Sequence, residues 1–187
     1  MRIEAYAIIS EDGMIADAAG RMPPVLTVEA DQKFFHEGLD RAAVVVHGRH
    51  SYEGGPRAPA RTRLILTRRV ASLAPDALHG RSLLWNPAGA SLAQALQQLG
   101  ISTGTIAVIG GADVYEVFWQ PGYDAFHLTR VAGARLPGGR LVFHALAAPS
   151  ACKTPEDVLA SHHMQPSPPV TLSPGVTLVT WKPQPSS

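Results

Sequence analysis

The chain has a single cysteine, Cys152, among 187 residues. One thiol closes no internal disulfide and supplies no cysteine cluster for zinc, a usage that suits a reducing, cytoplasmic compartment. Cys152 itself reads as inert, since nothing around it in sequence marks a reactive thiolate. Long hydrophobic runs are missing too: none approaches the roughly 20 residues of a membrane-spanning helix. The start, "MRIEAYAIIS", has no apolar stretch followed by a small-residue cleavage site, so the expectation is a soluble, unprocessed protein. Net charge is nearly absent: 16 Lys and Arg against 15 Asp and Glu leave a formal +1 at pH 7. That balance makes no field that would name a nucleic acid or an anionic membrane as a partner.

What is present fits a globular chain: 45% hydrophobic and 17% charged residues at a length suited to one domain, 1–187, with a full core. Glycine and proline punctuate it. Gly20 and the pair Pro23 and Pro24 predict an extended loop over residues 11–26. "SYEGGPRAPART" reads as a surface loop and "QPSPPVTLSPG" as an irregular connection. No internal repeat is visible.

Between these breaks, β-rich runs alternate with helical patterns: "RIEAYAIIS", "EADQKFFHEGLD", "AAVVVHG", "RLILT", "SLLW", "SLAQALQQLG", "TIAVIG", "ADVYEVFW" and "AFHLTRV". Such alternation predicts an α/β fold with a largely parallel sheet. Ala43–Val46 and Ile106–Ile109 are apolar at every position, as central strands covered on both faces are. Near the end, Thr154 is placed to cap a helix that begins at Pro155, with Glu156 and Asp157 at its positive end. The final run "VTLVTWK" alternates like a closing strand, expected to be antiparallel.

Two stretches end a strand in glycine and enter a short helix: "VVVHGRHSYE" and "VIGGADVYEVF". Glycine there admits a phosphate to unsatisfied main-chain amides, at the strand ends where open α/β sheets bind ligands. Any strand-to-helix turn also favours glycine, so each turn by itself supports both readings. Arg49 and His50 lie in the first turn, and Arg68 and Arg69 follow "RLILT". A guanidinium matches the fork of a phosphate monoester, whereas Arg69 reads as solvated charge.

Asp31 is the most informative acid. On a helix, Phe34, Phe35, Gly38 and Leu39 fall 3, 4, 7 and 8 residues after it, placing its carboxylate on the apolar stripe. Desolvation there raises a carboxyl pKa toward a range useful for proton transfer. The alternative is a cap or rim acid. His162 and His163, adjacent in sequence, point in different directions on a helix and do not make a metal pair. No metal site is expected. His127 reads as a strand-surface histidine, His144 as a loop histidine, and Tyr115 as a structural residue near a helix start.

Taken in order, "AIISEDGMIADAAGRMPPVLTVEADQKFF", "HGRHSYE", "RLILT", "VIGGADVYEVF" and "FHLTRV" resemble the dihydrofolate reductase superfamily, over about residues 1–145. The resemblance implies a three-layer α/β/α fold with a mostly parallel sheet of about eight strands and an antiparallel C-terminal strand. It implies NADPH as cofactor and a cis peptide between Gly110 and Gly111. Gly48, Arg49, His50 and Ser51 would meet the cofactor phosphates, and Thr67 and Arg68 the adenosine end. Ile15 and Ala16 would lie near the nicotinamide, with Met22 on a mobile loop over it. Ile109, Ala112, Asp113, Val114 and Tyr115 complete the implied cofactor side.

On the substrate side, Asp31 followed by Phe35 resembles the folate-type pattern, in which the acid binds the pterin and assists protonation. Thr129 matches the threonine supporting that acid, Ile8 a pocket wall, and Arg61 the arginine that holds the folate carboxylate. "SEDGMIA" instead resembles the riboflavin-pathway reductases, which act on a ribosylamino-pyrimidine phosphate. Pro24 stands where folate enzymes carry tryptophan. The segment from about 148 to 187, with the helix at Thr154, departs from both patterns and is open to two uses: covering a sheet edge or joining a homodimer. The expected activity is NADPH-dependent reduction of a dihydropterin-like substrate. The alternatives are reduction of 5-amino-6-(5-phosphoribosylamino)uracil and a cofactor-binding module without turnover.

Overall fold

Val44, Val45 and Val46 are all buried, and they face opposite ways. Val44 and Val46 pack in a large cluster with Ala95 and Leu96, Val114 and Phe118, and Val158 and Leu159. Val45 packs in a smaller one with Leu39, Phe34 and Phe35. An uninterrupted apolar run is therefore a strand covered on both sides, and the three layers of an α/β/α fold follow from it. A computed structural model provides the coordinates and describes residues 1–51, 54, 57–77, 80–147 and 152–185.

The strands are β1 (Arg2–Ser10), β2 (Met14–Ala16), β3 (Val44–Gly48), β4 (Arg63–Leu66), β5 (Leu73–Pro75), β6 (Ser82–Trp85), β7 (Thr105–Val108), β8 (Ala125–Val131), β9 (Arg140–Leu141), β10 (Met164–Pro166), β11 (Val170–Ser173) and β12 (Val176–Pro183). The helices are α1 (Glu29–Arg41), α2 (Leu92–Gln98), α3 (Ala112–Val117) and α4 (Pro155–Ser161). Among the described residues the main sheet has ten strands, in the order β10-β12-β8-β1-β7-β3-β4-β6-β5 with β11 beside β12. The core from β8 to β6 is parallel. Helix α1 covers one face; α2, α3 and α4 cover the other.

The expected strands are found, as are the helices apart from the short one after the first glycine turn, and β12 pairs antiparallel with β8 as the closing strand. Thr154 caps α4, accepting from the Asp157 N–H at 3.1 Å while the Asp157 carboxylate accepts from the Thr154 N–H at 2.9 Å. Two expectations need correction. Residues 11–26 are not all loop, because β2 pairs with β9 in a two-stranded sheet. "QPSPPVTLSPG" is not irregular: it carries the end of β10 and β11, both antiparallel to β12. Prolines are tolerated there because these strands lie at the sheet's margin.

The parallel strands place their carboxyl ends on one side. Helix α1 carries the chain from β1 one way along the sheet to β3, and α3 carries it from β7 the other way to β8, so the connections diverge between the neighbouring strands β1 and β7. A crevice opens at such a switch.

Candidate functional site

A cavity of about 1150 Å³ occupies this crevice. It exceeds the ~300–1,000 Å³ typical of a single small-ligand pocket, so it has room for two molecules side by side. Strand ends supply its floor. Gly48, Arg49, His50 and Ser51 follow β3; Leu66, Thr67, Arg68 and Arg69 end β4; Ile109, Gly111, Ala112, Asp113, Val114 and Tyr115 follow β7. Ile15, Ala16, Gly20 and Met22 form one rim together with Arg140 and Leu141 of β9. Met22 is exposed.

The glycines are informative atom by atom. The peptide between Gly110 and Gly111 is cis, and Gly110 has φ +88°. A Cβ at Gly110 would lie 2.8 Å from the Tyr115 hydroxyl, so packing excludes a side chain there. At Gly48 and Gly111 the nearest contacts of an added Cβ would be 3.4 and 3.7 Å. Those positions therefore leave main chain open to the crevice instead of relieving a clash. Tyr115 is buried and donates to the Tyr6 carbonyl at 2.6 Å, tying α3 to β1.

The first glycine turn keeps its turn, with the Ser51 N–H donating to the Gly48 carbonyl at 2.9 Å. Residues 49–51 are not helical, and the rest of the expected helix, residues 52–53, lies outside the described residues. Arg68 lies 3.8 Å from Asp113, and His144 reaches the same carboxylate at 2.6 Å. His144 is thus a rim residue of the cavity. One end of the crevice is cationic, with Arg49, Arg68 and Arg69 along it and His50 beside them, while Arg140 stands on the β2–β9 rim.

The other end is aromatic. Asp31 and Phe35 on α1, Ile8 on β1 and Thr129 on β8 meet there. Burial raises the Asp31 pKa above the usual aspartate value, and a hydrogen bond from Thr129 partly opposes that shift. The helical phase placing Asp31 beside Phe34 and Leu39 is the one observed. Tyr6, Phe34, Phe35 and His127 enclose the slot: the Tyr6 ring lies 5.9 Å from Phe34, 6.1 Å from Phe35 and 4.7 Å from His127.

His127 is not a surface histidine. Its side chain is 14% exposed, and burial lowers its pKa, against the opposing pull of Glu4. It is therefore a neutral wall at neutral pH. Tyr6 and His127 escaped sequence reasoning as site residues, although strand alternation carried the signal: Tyr6 shares a face with Ile8, and His127 with Thr129.

Arg61 does not line this cavity. It is held by Asp40 at 2.6 Å, beside Arg57 at 3.1 Å from the same carboxylate, in a separate cleft of about 190 Å³. The described residues contain no group of three or more His, Cys, Asp or Glu able to hold a metal ion. No described helix is long and apolar enough to cross a membrane.

Residues 2–146 match the family model described as dihydrofolate reductase. No curated protein matches the chain in sequence. Among solved structures, a putative riboflavin biosynthesis protein from Shewanella sp. PV-4 aligns with TM-score 0.68 at 17% identity, over 98% of this chain and 99% of that one. A diaminohydroxyphosphoribosylaminopyrimidine deaminase/5-amino-6-(5-phosphoribosylamino)uracil reductase from Thermotoga maritima aligns with TM-score 0.70 at 16% identity. That alignment covers 98% of this chain and 56% of the Thermotoga protein. Dihydrofolate reductase from Enterococcus faecalis, complexed with NADP(H) and RAB-propyl, aligns with TM-score 0.62 at 18% identity, over 97% and 95% of the two chains. At these identities the structural likenesses establish the fold.

Proposed function

The chain belongs to the dihydrofolate reductase family, and from that premise we propose that it is an NADPH-dependent reductase acting on a dihydropterin-like ring. The observation that carries this reading is Asp31: a half-buried acid, raised in pKa, bonded to Thr129 and set in a slot of four aromatic rings. A flat heteroaromatic ring fits such a slot, and an acid that holds its proton more tightly than an ordinary aspartate suits protonating a ring nitrogen.

The residues present fit the dinucleotide. Gly48 and Gly111 leave crevice floor where a Cβ has space to stand, and the cationic end supplies charge for phosphates. Arg49, His50 and Ser51 would hold the pyrophosphate, and Arg68 with Thr67 the 2′-phosphate. Ile15, Ala16 and Tyr115 would wall the nicotinamide, which supplies a hydride when bound. Asp31 then orients the acceptor ring and delivers the balancing proton, Thr129 holds Asp31 in place, and Met22 and the β2 rim exclude solvent. We read the whole chain, with its C-terminal segment, as one cytosolic reductase domain.

A second reading is favoured by one observation. Arg61, which resembles the arginine that anchors the folate carboxylate, is already engaged by Asp40. This supports a substrate without that tail, such as the ribosylamino-pyrimidine phosphate of the riboflavin-pathway reductases. NADPH oxidation followed at its near-ultraviolet absorbance, with dihydrofolate, smaller dihydropterins and the ribosylamino-pyrimidine phosphate in parallel, separates the two. Turnover of the pyrimidine alone overturns the pterin reading. Tight NADPH binding with no oxidation by any of them makes the protein a binding module.

A further inference from the structure

The turn joining β1 to β2 is held from outside the cavity. Arg130 on β8 donates from one terminal nitrogen to the Glu11 carbonyl at 2.8 Å and to the Ser10 carbonyl at 3.4 Å. Its other terminal nitrogen donates to the Glu156 carboxylate at 2.5 Å. Glu156 stands in the first turn of α4, so one guanidinium spans helix and turn. Pro155, its neighbour, packs so closely that a Cβ added at Gly13 would lie 3.3 Å from the proline ring.

Within the turn the Ser10 hydroxyl donates to Asp12 at 2.5 Å and accepts from the Met14 N–H at 3.0 Å. Asp12 in turn accepts from the Leu136 N–H at 3.1 Å. Three residues further on, Ile15 and Ala16 line the cavity.

We propose that Arg130 is a positioning residue: by bridging Glu156 of α4 to the main-chain carbonyls of the turn, it sets where β2 stands over the cavity rim. A planar guanidinium holds two terminal nitrogens apart, one toward each site, whereas an ammonium carries all its donors on a single nitrogen and does not span both. The pair is partly exposed, at 30% and 38% of the two side chains, so its worth as a charge interaction in water is small. Its effect is geometric. Glu156 lies beyond the residues that match the family model, 2–146, so the C-terminal segment acts on the cavity through this brace.

The proposal rests on the reductase reading only for its kinetic readout, and a second readout is independent of it. Hydrogen–deuterium exchange on the full chain, for wild type, Arg130→Lys, Arg130→Gln and Glu156→Gln, is combined with NADPH kinetics. Exchange over residues 11–16 should rise about tenfold in every variant, with β3 and β7 unchanged. KM for NADPH should rise about fivefold with a smaller change in kcat, and Arg130→Lys should not rescue either effect.

Where Arg130→Gln fails to fold, Glu156→Gln carries the test, because it weakens the α4 anchor that holds the guanidinium against the turn without altering β8. Unchanged exchange over residues 11–16 in the folded variants overturns the proposal. So does exchange that rises throughout the sheet, or a KM that stays put in an active enzyme with a loosened turn. A localised rise in exchange in a protein whose wild type oxidises no NADPH leaves the brace standing and removes the reductase reading.

Discussion

The Thr129 hydroxyl of β8 donates a hydrogen bond to the Asp31 carboxyl group of α1, joining the sheet to the helix at the aromatic end of the cavity. Burial favours the protonated acid, and this bond works the other way by stabilising the charged form. The acid therefore sits between two opposed influences, each of which can be removed separately.

Replacing Asp31 by Asn removes the proton donor but keeps the shape. Turnover at neutral pH should fall by about 10²- to 10⁴-fold, measured as NADPH oxidation with the best substrate. Stability should move the opposite way. Because burial raises the folded-state pKa of Asp31, the native state binds its proton more tightly than the unfolded chain, so ionising it costs stability. That cost is absent at pH well below the ordinary aspartate value and complete above the raised one. Thermal unfolding should therefore show Asp31→Asn gaining on wild type as pH rises through that window. An Asn variant with full turnover removes Asp31 from the chemistry.

Thr129→Val deletes the donor and keeps the volume. Losing a bond that favours the carboxylate pushes the Asp31 pKa further up. If the protonated acid is the working form, the falling limb of the kcat/KM profile should move to higher pH. The substitution should also cost about 1–3 kcal/mol for the polar group left without its partner. A pH profile identical to wild type would show that Thr129 does not govern Asp31.

Why some of this was legible in the sequence and some was not has a physical reason in each case. Local patterns carried the uninterrupted valines of β3, the helical phase of Asp31 and the Thr154–Pro155 start of α4. Short marginal strands carry little: β5 and β10 hold three residues each and end in proline, and β11 holds four within a proline-rich stretch, so none shows a strand period. Arg61 was misplaced because its partner, Asp40, is 21 residues away in sequence, and pairing across a loop leaves no periodic trace. Tyr6 and His127 were hidden for the opposite reason. Their strands were expected, but which face would meet the crevice depended on where α1 packs.

The two glycines of the second turn should separate stability from binding. Gly110→Ala sets a Cβ into the Tyr115 ring at a φ of +88°, and left-handed backbone costs a non-glycine residue about 1–2 kcal/mol before the clash is counted. Denaturant unfolding should show a loss larger than that figure. Gly111→Ala has φ −70° and space for the methyl, so the fold should hold within about 1 kcal/mol of wild type. That methyl would stand on the crevice floor, and NADPH affinity, read by fluorescence titration, should drop about tenfold or more. Unchanged affinity in a folded Gly111→Ala protein would mean that the dinucleotide does not cross this turn.

Arg68 tests which dinucleotide the site prefers. Its guanidinium is 90% exposed and only 3.8 Å from Asp113, an arrangement that contributes little to folding in water. Arg68→Gln should therefore leave unfolding unchanged. If the guanidinium grips a 2′-phosphate, the variant should lose about tenfold in NADPH affinity, as expected for one charge-assisted pair, while NADH, which lacks that phosphate, binds as before. Asp113→Asn provides the reciprocal check, because freeing Arg68 from a competing carboxylate should tighten NADPH and leave NADH alone. Equal losses for both dinucleotides in Arg68→Gln would assign the arginine to the shared pyrophosphate, and no loss in either would return it to solvent.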